Sequence, residues 1–588
     1  MENKPSFDKT QIIGLVLIGL IFMYFSFTNS SDETPAIPQE QPAEVLTEES
    51  VVVRDTAIAV DTLRTPDTTA VLEREVQTYS IENNVLSFTI SDRGAQVVEA
   101  LVKDYQTHDS MPLYMVKENQ VMDFTLGDWN SGTAWFDVVE NTATSLSLST
   151  TTPNGPLTLT WSLRPDEYQV DFKVSGAVDS PKPLSLDWDV SAFQHEKSLD
   201  LENQKTGVSY WEIEDGDMES LSMSGDDVES SKNLRWIANS QQYFSQILTA
   251  QGRFDSATMG VRMLSVPGYT KQMNSSIHIQ TVNGKFEVPM YYYVGPNKYH
   301  ILKEYDQEYD QLIDFGWGIF GWISRGVVVK VFDWLNGYGL NYGLIILLMA
   351  LMIKMVLMPF TFTSYRSMAK MRVLKPEIDE INEEYKDQDP MKKQQAVMEL
   401  YRKAGVNPLG GCIPQLLQLP ILIAMFRFFP ASIELRQQSF LWASDLSSYD
   451  SILRLPFEIP IYGDHVSLFT ILMAISTFMY SYMNQQLTGS NSQMPQMKVI
   501  IYLMPFVMLF FFNNYPAGLS YYYLVANLIT FGQQFAIRSF IDDDAIHAKL
   551  QANKEKPKKQ SKFQQRLNKA MEEQQGGEGN RRMRRMNK

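Results

Sequence analysis

Cysteine is nearly absent from this sequence: Cys412 is the only one in 588 residues. A single thiol excludes an internal disulfide framework and a multi-cysteine metal site. Histidine is sparse too. The six present (His108, His195, His278, His300, His465 and His547) are scattered and show no HExxH-like spacing. There is no GxxxxGK[ST] phosphate loop, no GxSxG elbow and no dinucleotide fingerprint. These absences count against an enzyme.

What the chain has instead is apolar length. Hydrophobic residues are 44% of the total, an ordinary share, but they bunch at 11–28 and between 337 and 538. A helix needs roughly 20 apolar residues to cross a bilayer, so these runs are transmembrane candidates. The second region divides into 337–358, 410–430, 466–485, 497–515 and 517–538, which with 11–28 makes six expected spans. The run at 11–28 reads as an uncleaved signal anchor, because Ser26 to Ser30 offers no small-x-small cleavage site; a cleaved signal peptide is the alternative.

Charge sets the expected orientation. Lys4 and Lys9 in residues 1–10 favour a cytoplasmic N-terminus. The 360–408 loop holds Arg366, Lys370, Arg372, Lys375, Lys386, Lys392, Lys393, Arg402 and Lys403, whereas 431–465 holds only Arg436 and Arg454. Positive charge marks the inner side, so both termini are expected inside. The net charge of -17 is polarised: the acidic excess lies in 29–305, and the tail 539–588 is basic.

The segments between the spans differ in kind. Residues 29–78, rich in Pro, Glu, Thr and Asp, read as a flexible linker. Residues 79–305 alternate with period two, as in Leu86, Phe88, Ile90; in Leu157, Leu159, Trp161, Leu163; and in Leu184, Leu186, Trp188, Val190. Such strands, each with one buried and one wet face, predict a large antiparallel β-sandwich outside the cytoplasm. Residues 306–336 mix Trp317, Phe320, Trp322, Phe332 and Trp334 with Asp314, Arg325, Lys330 and Asp333. That mixture suits an amphipathic helix in the headgroup layer, the alternative being a buried helix of the sandwich. In the inner loop, Met368, Met371, Leu374, Ile378, Ile381 and Tyr385 share one helix face. A break at Asp389-Pro390 and a second helix from Met391 to Ala404 make a helical hairpin over 360–408.

Polar residues inside spans are costly and face a partner or a wet cavity. Ser520, Tyr523, Asn527, Thr530 and Gln534 recur at spacings of three and four along the last span. Gln415 and Gln418 lie in the third span and Lys354 in the second, with no intramembrane carboxylate to pair it. Two readings stand: hydrogen bonds that glue helices together, or the lining of a hydrated groove. Lys354 itself either serves that groove or snorkels to the headgroups. The missing carboxylates weigh against a proton-coupled transporter. A sugar-modifying enzyme in the outer sandwich is a further alternative.

Several stretches together resemble the YidC/Oxa family of membrane insertases. These are Tyr365 to Lys375 (YRSMAKMRVLK); Val406 to Cys412 (VNPLGGC) with Pro414, Gln418 and Pro420; Glu434-Leu435-Arg436; and Pro516 to Leu519 with Tyr522 and Tyr523. Gln241 to Phe244 and Tyr293 to Pro296 resemble the periplasmic domain of Gram-negative members. The resemblance implies a multi-domain inner-membrane protein. It would have an α-helical polytopic core, five of its six transmembrane helices forming the insertase bundle in 337–538, and an all-β periplasmic sandwich. It implies a protein that is not an enzyme, with no cofactor, nucleotide or small-molecule substrate, taking nascent membrane proteins as substrates and the Sec translocon and membrane lipids as partners. It also implies a groove lined by Lys354, Gln415, Gln418, Ser520, Tyr522, Tyr523, Asn527, Thr530 and Gln534, open to cytoplasm and lipid. Bacterial members carry arginine where this chain has Lys354, which keeps the charge and loses the planar fork. The basic tail suggests ribosome binding, with anionic lipid as the alternative.

Overall fold

The computed structural model describes residues 74–554 apart from 387–389, 408–409, 411–412 and 489–494. The expected anchor at 11–28, most of the linker and the tail beyond Lys554 lie outside the described residues.

The alternating segments form antiparallel strands in two sheets. β1 (Thr78–Glu82), β2 (Leu86–Ser91), β3 (Val97–Gln106) and β4 (Pro112–Lys117) make a four-stranded sheet in sequence order. The strands from Gln120 to Pro296, β5 to β17, make a second sheet of 13. In β9 (Gly155–Leu163), Leu157, Leu159, Trp161 and Leu163 are buried while Thr158, Thr160 and Ser162 are half-buried between them. Opposite Trp161 on β10 (Gln169–Val178) sits Phe172, and the two rings stack at 5.3 Å. Tyr292 on β17 (Gly284–Pro296) joins the sheets: Phe88 of β2 and Trp188 of β11 (Pro183–Phe193) each meet its ring edge-on at 5.9 Å. Its hydroxyl donates to Gln246 Oε1 at 2.6 Å, so the phenol is not stranded in the core. A short α1 (Leu199–Asn203) interrupts the strands.

After β17 come α2 (Tyr299–Glu304), then α3 (Gly318–Ile323) and α4 (Val329–Asn336) joined by one π-helical turn at Ser324–Val328. Val328, Phe332 and Leu335 are buried, whereas Trp317, Ile319, Trp322 and Trp334 are exposed. The buried side does not pack on the sandwich, one of the two sequence readings. It packs on α8 (Ile413–Ala431), with Phe332 edge-on to Phe428 at 5.3 Å.

The remaining helices are α5 (Tyr342–Val373), α6 (Lys375–Glu384), α7 (Pro390–Ala404), α9 (Leu468–Thr488), α10 (Pro495–Phe512), α11 (Ala517–Ser539) and α12 (Asp543–Lys554). A hairpin of β18 (Leu453–Ile459) and β19 (Gly463–Val466) lies between α8 and α9. Among the described residues α5 is the one helix long and apolar enough to cross a bilayer by length and composition; Leu416–Ala431 and Tyr502–Phe512 are shorter apolar stretches.

The structure changes two expected boundaries. The span expected to stop at 358 belongs to a longer helix: α5, 32 residues in all, continues through Pro359 to Val373. Proline removes one helical hydrogen bond, a loss that packed neighbours make tolerable in a bundle. Consequently Met368 and Met371 belong to α5, and the break falls at Leu374, where Pro376 opens α6. The predicted apolar face survives the change. Met368, Met371, Leu374 and Ile378 are buried in a second hydrophobic core with Val397, Tyr401, Ile537 and Leu550. The last of these lies on α12, which replaces the start of the expected tail. Lys554, one of the basic residues of that stretch, pairs with Glu377.

The β domain docks on the bundle through named contacts. Arg436 Nε meets Glu196 Oε1 at 2.7 Å, with both side chains buried, and its guanidinium lies 5.3 Å from the Phe244 ring. Gln242 Nε2 donates to the Pro430 carbonyl at 3.0 Å. Asp314, before α3, takes Lys205 of the β domain at 2.9 Å and Arg427 of α8 at 2.5 Å. Two stretches that carried the family resemblance, Gln241 to Phe244 and Glu434 to Arg436, thus meet at one joint.

Breaking a buried pair leaves an unpaired charge at a cost of about 3–5 kcal/mol, whereas replacing both partners with apolar residues is near neutral. Arg436→Met is therefore expected to lower the melting temperature in detergent, with Glu196→Leu/Arg436→Met restoring most of it. The same joint responds to pH. Burial, then the neighbouring Glu196 charge, hold the Glu202 carboxyl well above its ordinary range. A raised folded value means stability is present at acid pH and lost as pH rises through it. Melting temperature is expected to fall as pH rises above the ordinary carboxylate range, and Glu202→Gln to flatten the fall.

Candidate substrate groove between the helices

Five helices, α5, α8, α9, α10 and α11, contain no Asp or Glu. Away from the helix ends, where Arg372 and Arg427 reach Asp543 and Asp314, the uncharged polar side chains meet one another or backbone. Three of the expected groove residues form rungs between α11 and α9. Ser520 and Thr470 hydroxyls are 3.0 Å apart. Asn527 Nδ2 donates to Ser476 and Thr477 hydroxyls, each at 3.0 Å. Gln534 Nε2 donates to Asn484 Oδ1 at 3.2 Å. Both series advance by seven residues, Thr470, Thr477, Asn484 against Ser520, Asn527, Gln534. That is two helical turns, so one seam carries all three rungs. The α9 half of the seam was missed from sequence, although its period was there to be read.

The other expected residues are placed differently. Tyr523 donates to the Leu422 carbonyl of α8 at 3.0 Å, and Thr530 to its own helix at Ala526. Tyr522 is fully buried beside Phe429, at 5.9 Å between rings. The side chain of Gln415 lies outside the described residues.

Lys354 and Gln418 are brought together. Lys354 Nζ donates to Gln418 Oε1 at 3.0 Å, and both are half-buried. Gln533, one helical face away from the expected stripe, donates to the Lys354 carbonyl at 3.0 Å. Lys354 lies twelve positions after Tyr342 and Gln418 thirteen before Ala431, so the two meet at one depth, about 18–20 Å from the end of the bundle next to the β domain. Between this pair and the β domain the helices are closed by Met425, Phe429, Phe512, Leu519 and Tyr522, all buried. Gly518 permits the closure: a Cβ there would sit 3.0 Å from the Leu446 carbonyl and 3.1 Å from the Phe429 ring.

Described family domains cover most of the chain. The YidC periplasmic domain matches residues 78–329, and the 60Kd inner membrane protein family matches 334–544. A membrane protein insertase YidC from Parabacteroides distasonis is 35% identical over 97% of this chain and 98% of its own length. One from Bacteroides fragilis is 37% identical over the same shares. The chain belongs to the YidC family of membrane protein insertases. Its β domain is thus of the YidC periplasmic type and its helices form the inner-membrane part. The β domain also aligns with a putative aldose 1-epimerase from Escherichia coli, at 10% identity and a TM-score of 0.27, over 38% of this chain and 100% of that one. A likeness so slight assigns no activity.

The sorting of polar residues predicts unequal mutational effects. Loss of one interhelical hydrogen bond in a bilayer costs about 1 kcal/mol. Asn527→Ala removes two and is expected to lower stability by about 2 kcal/mol in detergent unfolding, with insertion activity per folded molecule unchanged.

Proposed function

We propose that this chain inserts nascent membrane proteins into the inner membrane, alone or beside the Sec translocon, through a polar groove centred on Lys354 and Gln418. The observation that carries the reading is a cation held between helices by a neutral amide, in five helices with no carboxylate. Buried charge without an acidic partner is expensive and persists where function requires it. The aromatic layer of Phe429, Phe512 and Tyr522 would close the groove toward the β domain, leaving it open at the other end.

In this reading a hydrophilic segment of the substrate enters from the cytoplasm and passes beside Lys354, so its polar groups avoid hydrocarbon. Its apolar segment leaves sideways into lipid, and burial of roughly 20 apolar residues supplies the downhill free energy. No bond is made or broken. Six spans with both ends inside, the Trp-bearing helix of residues 318–336 in the outer headgroup layer, and the α6–α7 hairpin in the cytoplasm complete the proposed topology. The basic residues beyond Lys554 would meet the ribosome.

Two measurements test this. Insertion of a client series differing only in the charge of its translocated segment is compared in Lys354→Arg, Lys354→Ala and Lys354→Glu at equal expression. A charge about 10 Å away at an effective dielectric of about 20 is worth about 1.7 kcal/mol, or more than tenfold. Lys354→Arg should retain insertion, and Lys354→Glu should depress acidic clients by about tenfold or more; no dependence on sign at position 354 defeats the electrostatic role. Topology is read from reporter fusions. A periplasm-active reporter is expected to work at Asn154 and be silent at Glu377, and the reverse pattern defeats the orientation.

A further inference from the structure

The β18–β19 hairpin carries an apolar surface that the other described residues leave uncovered. Leu453, Leu455, Phe457 and Ile459 occupy alternate positions of β18, with Arg454 and Glu458 between them. Phe457 is 60% exposed and Ile461, in the turn, 67%. Soluble hairpins turn such residues inward, and an isolated two-stranded hairpin is marginal in water.

This one is held rigidly to the bundle. Asn513 Nδ2, in the α10–α11 connection, donates to the carbonyls of Tyr462 and His465 at 2.8 and 2.9 Å. Asn514 Nδ2 donates to the Ile461 carbonyl at 3.2 Å. His465 is buried, stacked on Tyr449 at 3.7 Å. The exposed apolar side is therefore fixed in place at the ends of α9, α10 and α11.

Its surroundings say what covers it. Leu503, Phe506, Val507 and Phe510 are all exposed and recur at i, i+3, i+4, i+7 on α10, the pattern of one outward helix face. At the end of that stripe Tyr462 packs edge-on to Phe510, at 5.3 Å between rings, and Ile461 follows. The hairpin surface thus continues the outward face of a membrane helix. Its chemistry disfavours a partner strand: Pro456 and Pro460 lack N–H groups, and an edge strand carrying proline and charge resists pairing. The remaining strand edge still needs water, which the hydrocarbon core does not offer and the headgroup layer does.

We propose that this hairpin is a lipid-contacting element that lays Phe457, Ile461 and Leu453 into the outer headgroup layer, leaving Arg454, Glu458 and Asp464 in water. The proposal rests on the membrane placement of the bundle given above. It adds a second anchor, on the α9–α10 side, to the Trp-bearing helix on the α8 side.

The test uses the full chain with its single cysteine replaced (Cys412→Ser), in vesicles of phosphatidylethanolamine and phosphatidylglycerol. An environment-sensitive fluorophore is attached to Phe457→Cys, Glu458→Cys, Val228→Cys in the β domain, or Phe506→Cys on α10. Nitroxide lipids labelled near the headgroup are expected to quench the labels at 457 and 506. Aqueous iodide should quench 458 and 228 at least about threefold more strongly than 457. A 457 label as accessible to iodide as the 228 label, with 506 lipid-quenched, overturns the hairpin proposal alone. Loss of lipid quenching at 506 overturns the placement of the bundle and this proposal with it. Protection at 457 that is insensitive to nitroxide lipid and weakens as protein is diluted in the vesicles means a second copy covers the face, which also overturns it.

Discussion

A polar side chain inside an apolar bundle must find its partner within the protein, because hydrocarbon supplies none. Much of the arrangement of α5 and α8 to α11 follows from this constraint. With no carboxylate available on these helices, hydroxyls and amides satisfy one another along a single seam. The seam fixes the rotation of α11 against α9. It also leaves Tyr523 facing α8 and Gln533 facing α5. Lys354 and Gln418 then meet as the one lysine–amide contact among the described residues of the five helices. Helix glue and candidate groove are not rival readings of one stripe; they are successive consequences of the same bookkeeping.

The joint between the domains works by the same physics with charges present. Arg436 is worth burying only because Glu196 and the Phe244 ring receive it, and Glu196 belongs to another domain. Lys205, Asp314 and Arg427 tie the connecting segment to both sides. These links hold the β domain against the end of the bundle that Phe429 and Tyr522 close.

Much of this architecture was legible in the chain because short-range periodicity reports burial directly. The alternation in 79–305 gave the strands, and Leu157, Leu159, Trp161 and Leu163 are buried as their spacing required. The spacing of Met368, Met371, Leu374 and Ile378 gave a helical face that is buried even though the helix boundary moved. The continuation of α5 past Pro359 was not legible, because the cost of a helical proline depends on neighbours that a local reading does not contain. The pairing of Lys554 was hidden for a similar reason: nothing near it in sequence announces Glu377, distant by 177 positions.

The sequence by itself determined the separation into a β-rich part and an apolar helical part, the absence of carboxylates in the helices, and the presence of Lys354 among them. Those are properties of composition and period, and each residue carries them regardless of its partners. Tertiary structure alone decided which polar residues are spent on each other. A stripe of Ser520, Asn527, Thr530 and Gln534 looks the same in sequence whether it faces water, substrate or another helix. Only the rotation and depth of α9, set by packing across the whole bundle, place Thr470, Thr477 and Asn484 opposite it and leave Lys354 with Gln418.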